Sequence, residues 1–285
     1  MAAFLGESAY VTMPPAMAAH ARMLSAARRP AYVFSSRLAD MHKLTLILLL
    51  AASPAVAQAP SMESAPLVPP FSTAPAGTAL PSGWMPIKIN EQKKPTVYDL
   101  VDDQGTVVLH ATADGAASLV GHRVAFDLKS APVLSWRWKV SRLIATADNS
   151  VAGKEDSPAR IVLEFDGDKS KLSISDKSTL ATGKLLSGRE LPYATLMYIW
   201  SNSEPVGKVI RNPRTPRVQM VVASSGAAGV GTWQTLSRNA VEDFRRAFGE
   251  DPGKLTGVAV LTDTDNTGEK AEAWYGDIQF QSAAR

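Results

Sequence analysis

The chain reads as a mainly β protein, an antiparallel two-sheet β-sandwich of jelly-roll type with one or two short helices. Three observations predict it. First, ten short segments are rich in Val, Ile, Thr or aromatics and bounded by Gly, Pro, Asp or Asn: 84–90, 97–101, 106–112, 118–128, 133–140, 160–166, 195–201, 217–223, 257–262 and 272–280. Second, several of them alternate with a period of two, as in Leu134-Ser-Trp136-Arg-Trp138-Lys-Val140, which puts the apolar set on one face. Third, only two stretches keep helical spacing. They lack the regular alternation with strands that a doubly wound sheet needs, and the strands are too irregularly spaced for propeller repeats.

Taken in order, residues 1–57 stand apart from this pattern. Met41-His42-Lys43, the apolar run Leu44–Ala52 and the small-x-small triplet Ala55-Val56-Ala57 follow the order of a secretory signal peptide, predicting cleavage after Ala57. The run is too short to span a bilayer core of about 30 Å. A signal peptide should open a chain, so residues 1–40 are expected to be an over-extended start or a disordered tail, with translation beginning at Met41. The Ala/Pro/Ser-rich stretch 58–80 reads as a linker or a segment laid over the fold. Residues 81–285 then form a single β-sandwich domain. Within it, residues 176–187 and 240–249 are the helical stretches; the second sets Val241, Phe244, Ala247 and Phe248 on one face before Gly249.

Composition narrows the function. The chain has 285 residues and no Cys, which excludes a disulfide scaffold, a thiolate zinc site and a thiol nucleophile. Mean hydropathy near zero, with no apolar run of about 18 residues, excludes a multi-span membrane protein. Residues 1–57 hold five basic and two acidic residues, so of the 30 basic and 27 acidic residues in the chain, 25 of each remain beyond Ala57. A neutral exported domain without a basic run is not built for nucleic acid. The expected location is periplasmic or secreted.

Several phrases occur together in order: Pro95-Thr-Val-Tyr98, Val133-Leu-Ser-Trp136-Arg-Trp138, Glu155-Asp-Ser-Pro-Ala-Arg160, Phe165-Asp-Gly-Asp168 and Leu191-Pro-Tyr-Ala-Thr-Leu-Met-Tyr198-Ile-Trp200. They continue with Ala247-Phe-Gly249, Thr262-Asp-Thr-Asp-Asn-Thr-Gly268 and Ala273-Trp-Tyr-Gly-Asp277. Over nearly all of the chain beyond the leader, they resemble a bacterial family designated domain of unknown function 3047. That resemblance implies an exported bacterial protein and no particular chemistry. Trp274-Tyr-Gly-Asp277-Ile-Gln-Phe280 is also similar to the closing strand of galactose-binding-like jelly rolls, many of them carbohydrate-binding modules, where an Asp on that strand often helps to hold a structural calcium.

The residues offer three candidate sites. Asp263-Thr-Asp265-Asn266-Thr-Gly268 clusters oxygen ligands on a Gly-bearing turn, as calcium favours, with Asp277 as a further ligand; an Asx turn bonding its own backbone explains the same residues. An EF-hand is excluded, because Trp274 occupies the position that needs a bidentate Glu. Trp136, Trp138, Tyr198 and Trp200, with Asn202 beside them, could stack on and bond a glycan, although aromatics at alternating strand positions also fit a sandwich core. Arg137 and Lys139 would share a polar face with Arg160, Glu164, Arg217 and Gln219 if their strands are neighbours, either binding a ligand or forming cross-strand ion pairs. His110 and His122 are the two histidines beyond the leader, and neither Gly-x-Ser-x-Gly, His-Glu-x-x-His nor a phosphate loop is present. The leading expectation is therefore a non-catalytic exported sandwich that binds a glycan, with a structural calcium. A polysaccharide hydrolase or lyase on the same fold would need facing carboxylates from Glu155, Asp156, Glu164 or Asp277. An envelope interaction protein without a small ligand would need an exposed apolar patch.

Overall fold

The computed structural model describes residues 67–283. The expectations for residues 1–40 and 41–57, and for the first part of the linker, lie outside the described residues. Thirteen strands form two sheets: β1 (Trp84–Lys88), β2 (Val97–Asp103), β3 (Thr106–Asp114), β4 (Ala117–Phe126), β5 (Val133–Val140), β6 (Ser157–Phe165), β7 (Ala194–Ser201), β8 (Val209–Arg211), β9 (Val218–Ser225), β10 (Gln234–Asn239), β11 (Leu255–Asp263), β12 (Lys270–Tyr275) and β13 (Gln279–Gln281). The seven-stranded sheet runs β1-β4-β11-β6-β7-β9-β8. The other runs β10-β5-β12-β3-β2, with β13 paired to β5. All pairings are antiparallel except β7 with β9. The β-sandwich with few helices that the residue pattern predicts is the observed architecture.

Sequence periodicity passes over β8 and β10, and the reason is composition. β8 is three residues long, and Gln-Thr-Leu-Ser-Arg-Asn in β10 carries one large apolar side chain. The segment 272–280 is two strands, broken where Gly276 N–H donates to Arg137 O and the Asp277 carboxylate turns to receive Ser72 N–H at 3.0 Å. Ser72 lies in a stretch that sequence places in the linker. From Leu67 to Leu80 the chain is packed: Val68 and Phe71 are buried in the main core, and Gly77 bridges to Leu100.

The core between the sheets is built on aromatics. Trp136 and Trp138 of β5 meet edge to face at 5.4 Å, Trp136 lies 5.0 Å from Tyr198 of β7, and Trp138 lies 6.2 Å from Trp200. The two sheets differ in what they do with their outer faces. β5 alternates buried and half-buried residues, leaving one face to solvent, whereas β6, β9 and β11 are buried along almost their whole length. Outside the main core, Leu119, Val162, Ala259 and Leu261 form a second apolar cluster, and Ile199, Ile210, Met220 and Val222 a third; Met197 touches both. The seven-stranded sheet thus carries an apolar band on its outer side.

Helix α1 (Ile174–Ser187) starts at Ser173, whose hydroxyl accepts Asp176 N–H at 3.0 Å, and stops at Gly188 in the left-handed conformation. Helix α2 (Ala240–Phe248) is capped in the same way by Asn239 and buries Ala240, Val241 and Phe244. Phe244 lies between Phe165 at 4.7 Å and Phe248 at 4.4 Å, and Asp243 accepts from Tyr198 OH and Arg238, so α2 is held by a buried ring and a buried carboxylate. Among the described residues no helix is long and apolar enough to cross a membrane. Replacing Phe244 with Ala is expected to cost about 3–5 kcal/mol, read as a lowered midpoint in urea with an unchanged slope.

Candidate functional site

The four aromatics that sequence offers for a glycan are core. Trp136, Trp138, Tyr198 and Trp200 are buried between the sheets, and the polar ends of three of them are spent inside: Trp138 Nε1 on Ser224 Oγ, Trp200 Nε1 on Gly226 O, and Tyr198 OH on the Asp243 carboxylate, each at 3.0 Å. Burial also pushes the Tyr198 hydroxyl well above its ordinary pKa. Asn202 spends its amide on Ile144 O and Ala147 O, holding a loop. None of the five presents a face to a ligand, because the alternation that suggested a stacking platform is the alternation that fills a sandwich. The half-exposed tryptophans are Trp233 and Trp274.

The polar face expected from β5 and β6 is divided between two sides of the sandwich. With Trp136 and Trp138 inward, Arg137 and Lys139 point out from the six-stranded sheet. With Ile161 and Leu163 inward, Arg160 and Glu164 point out from the seven-stranded sheet. Arg137 lies over the Trp233 ring at 4.4 Å, and Lys139 lies over Trp274 at 4.5 Å and salt-bridges Asp103 at 2.8 Å. His110 stacks on the Trp274 ring at 4.8 Å, so cations and an imidazole cover these tryptophans. Arg217 lies over Tyr193 and pairs with Glu250, and Gln219 donates to Pro216 O.

The Asp-rich turn gathers a partner that sequence did not assign to the metal. Asp156, Asp263 and Asp265 bring carboxylate oxygens within 4.8 Å of one another, while Asp277 serves Ser72 instead. Each of the three has its own partners. Asp156 accepts Asn266 N–H, Asn266 Nδ2, Thr267 N–H and Thr267 Oγ1, stapling the turn to the start of β6. Asp263 is bidentate to Arg160, at 2.9 and 3.0 Å, and Asp265 pairs with Lys93. Arg160 and Lys93 supply two positive charges beside these three carboxylates, and Asp265 Oδ1 is buried without a hydrogen-bond partner among the described residues. Desolvation pushes the Asp263 carboxyl up to about 6, against the pull of Arg160 and with help from Asp156.

What remains open is a groove of about 540 Å³ at the other end of the seven-stranded sheet's outer face. Its floor lacks side chains. Gly257 of β11 pairs with Arg123 of β4 on one side and Glu164 of β6 on the other, which sets those two residues roughly 10 Å apart across a bare backbone. Gly121 sits beside Ala259 and Met85 in the same floor. A Cβ on Gly257 would come within 2.9 Å of Glu164 Oε2, and one on Gly121 within 2.7 Å of Ile87 Cδ1, so a side chain at either position would push aside the end of Glu164 or Ile87. The far wall is the segment after α1. There Arg189 Nη1 donates to Glu164 Oε1 at 3.2 Å, and Arg189 Nε, buried, has no hydrogen-bond partner among the described residues. Arg123 is exposed, without an ion-pair partner among the described residues. Asp166 on the rim is engaged by Lys254 N–H at 2.8 Å. Arg123, Arg189, Gly121 and Gly257 were missed from sequence; glycines inside strands 118–128 and 257–262 were the available signal of a close backbone approach. Apolar floor, acceptor and donors together suit a small hydroxyl-rich ligand.

The model of the family described as "Protein of unknown function (DUF3047)" matches residues 82–279. The chain belongs to this family. The phrases Glu155–Arg160 and Thr262–Gly268 that carry the likeness are the two that interlock through Asp156 and Asp263. No curated protein matches the chain. Among solved structures, it is similar to a family 30 carbohydrate-binding module of a cellulosomal cellulase from Clostridium thermocellum (13% identity, 76% of this chain and 95% of that chain covered, TM-score 0.35). It is also similar to a family 11 carbohydrate-binding module from Clostridium thermocellum in complex with a β-1,3-1,4-mixed-linked tetrasaccharide (7%, 75% and 99%, 0.37). A third is the xyloglucanase domain of NopAA, a type three effector from Sinorhizobium fredii, in complex with cellobiose (10%, 73% and 98%, 0.39).

The buried Arg160–Asp263 pair supplies a test of the family core. Arg160→Met strands a buried carboxylate and is expected to cost about 3–5 kcal/mol at neutral pH. The folded wild type already binds the Asp263 proton more tightly than the unfolded chain, and loss of Arg160 strengthens that further, so acidification from pH 7 toward 5 favours folding of the variant more than of the wild type. The deficit against wild type should shrink over that range in urea titrations. A deficit that is constant with pH would show that Asp263 does not carry it.

Proposed function

We propose that this protein is an exported, non-catalytic β-sandwich that binds a saccharide in the groove over Gly121, Gly257 and Ala259. The observation that supports this reading is the bare floor between Arg123 and Glu164. A sugar ring lays a C–H face on backbone and Ala259, while its hydroxyls donate to Glu164 and accept from Arg123. Glu164 is held by Arg189, and Asp166 by a backbone N–H. The groove is thus arranged for orientation rather than for two facing carboxylates with a water or nucleophile between them. Export, as expected from residues 41–57, would bring such a protein to where glycans are met, and the reading requires no metal.

The test is calorimetric titration of the protein with a panel of neutral and uronate-containing oligosaccharides. Glu164→Gln and Arg123→Ala are each expected to weaken the binding ten- to hundredfold, the loss of a hydrogen bond to a charged group. Ala259→Trp, which fills the floor, should abolish it. Titration of every saccharide without heat, or affinities indifferent to all three substitutions, would overturn the assignment; release of reducing ends would turn it into a hydrolase.

A further inference from the structure

Helix α1 carries its amphipathic pattern the wrong way round for a soluble sandwich. Its packed side holds Leu180 and Gly183, where Gly183 lies against Leu191 so closely that a Cβ would sit 2.2 Å from Leu191 Cδ1. The opposite side presents Ile174, Ala181 and Leu185 at helical spacing, a stripe about 16 Å long. Ile174 is 88% exposed, Leu185 is 83% exposed, and Leu186 beside them is 62% exposed. No residue of α1 is buried. In α2, by contrast, Ala240, Val241 and Phe244 all go into the core. A soluble surface gains nothing by exposing one Ile and two Leu on one helix.

The charges around the stripe say what covers it. Between Lys169 and Arg189 the chain holds Lys169, Lys171, Lys177, Lys184 and Arg189 against Asp176 alone, with Asp168 and Glu190 at the two ends. Lys177 and Lys184 lie along one edge of the stripe by helical spacing; Lys177 Nζ donates to Ser170 O and Lys184 pairs with Glu190, exposed contacts of small worth that a headgroup phosphate can replace. The stretch keeps a net charge of +2 even when both end carboxylates are counted, while the chain beyond Ala57 is neutral. A second copy of the chain seated on α1 about a two-fold axis would bring these lysines against themselves. A neutral partner would gain nothing from them. We propose that α1 is an interfacial helix that lays Ile174, Leu185 and Leu186 into an anionic phospholipid surface, with Lys177 and Lys184 at the headgroups. The apolar side chains enter the headgroup–acyl boundary, and the lysines bury their stems while keeping their ammonium groups in water. The chain leaving α1 forms the groove wall through Arg189, so docking by the helix holds the groove beside the membrane. This inference stands on α1 and does not depend on a saccharide in the groove.

The experiment is co-sedimentation of the full chain with phosphatidylcholine vesicles, with and without phosphatidylglycerol, over a range of salt. The anionic vesicles should bind at least about tenfold more tightly than the neutral ones, with the advantage lost as salt screens it. Ile174→Asp with Leu185→Asp should bring binding down to the level on neutral vesicles, and Lys177→Glu with Lys184→Glu should remove the anionic preference. These side chains are exposed, so an unchanged Tm is expected and separates lost docking from lost folding. Residues before Leu67 are the same in every variant, so the difference between variants reports α1. Two results overturn the proposal: the Asp variant sedimenting as the parent does, and a parent that does not distinguish the two vesicles. A dimer in light scattering that the Asp variant dissociates would give the stripe to a second copy instead.

Discussion

Trp138 and Trp200 meet in the middle of the sandwich, each with its indole N–H satisfied inside, and the rest of the molecule is arranged around that contact. Large rings from β5 and β7 must share one interlayer space, which fixes the register of both strands, since a slip of one residue would turn the rings outward. Once Trp136 and Trp138 face in, Arg137 and Lys139 face out. Once Ile161 and Leu163 meet them from the other sheet, Arg160 and Glu164 are sent to the far side of the molecule. Groups that look like neighbours in a polar face are separated by the whole thickness of the core.

The seven-stranded sheet carries a second constraint. Its outer face is apolar over much of its width, so the charged residues on it need partners. Arg160 finds the Asp263 carboxylate and two methionine sulfurs, Met197 and Met220. Asp156, from the same turn into β6, closes the loop after β11 with four hydrogen bonds. The acidic cluster is therefore a brace between two strand ends, with Asp263 paired to Arg160, Asp265 to Lys93, and Asp156 held by neutral donors of Asn266 and Thr267. At the other end of the same face the glycines leave a hollow, and there Arg123 and one nitrogen of Arg189 keep unused hydrogen-bonding capacity. Bare backbone distinguishes the groove from the brace, where Asp265 Oδ1 is also without a hydrogen-bond partner among the described residues.

Helix α1 and the groove belong to one region of the surface. The helix ends at Gly188, and the next residue, Arg189, reaches back to Glu164 in the floor. A surface that seated α1 would sit next to whatever occupied the groove. On the six-stranded sheet the outer tryptophans are covered by Arg137, Lys139 and His110.

Much of the architecture was legible from residues alone. Period-two alternation marked most of the strands, the Gly-terminated apolar spacing marked both helices, and the phrases from Pro95 to Asp277 marked the family, because local propensity and burial act on near neighbours. β8 and β10 were not legible, since each lacks an apolar run and takes its conformation from the strand beside it. The sites were less legible still. Sequence selected aromatics and acids by residue type, but whether Trp136 faces a ligand or a core, and whether Asp263 meets a metal or Arg160, depends on partners far along the chain, Tyr198 and Arg160. Gly257 shows this most plainly: in sequence it is a weak point in a strand, and only the pairing of β11 with β4 and β6 makes it the floor between an arginine and a glutamate. Sequence by itself determined which faces are apolar and where the strands turn. Tertiary structure decided which side chains were left uncommitted, because that depends on pairing between distant strands.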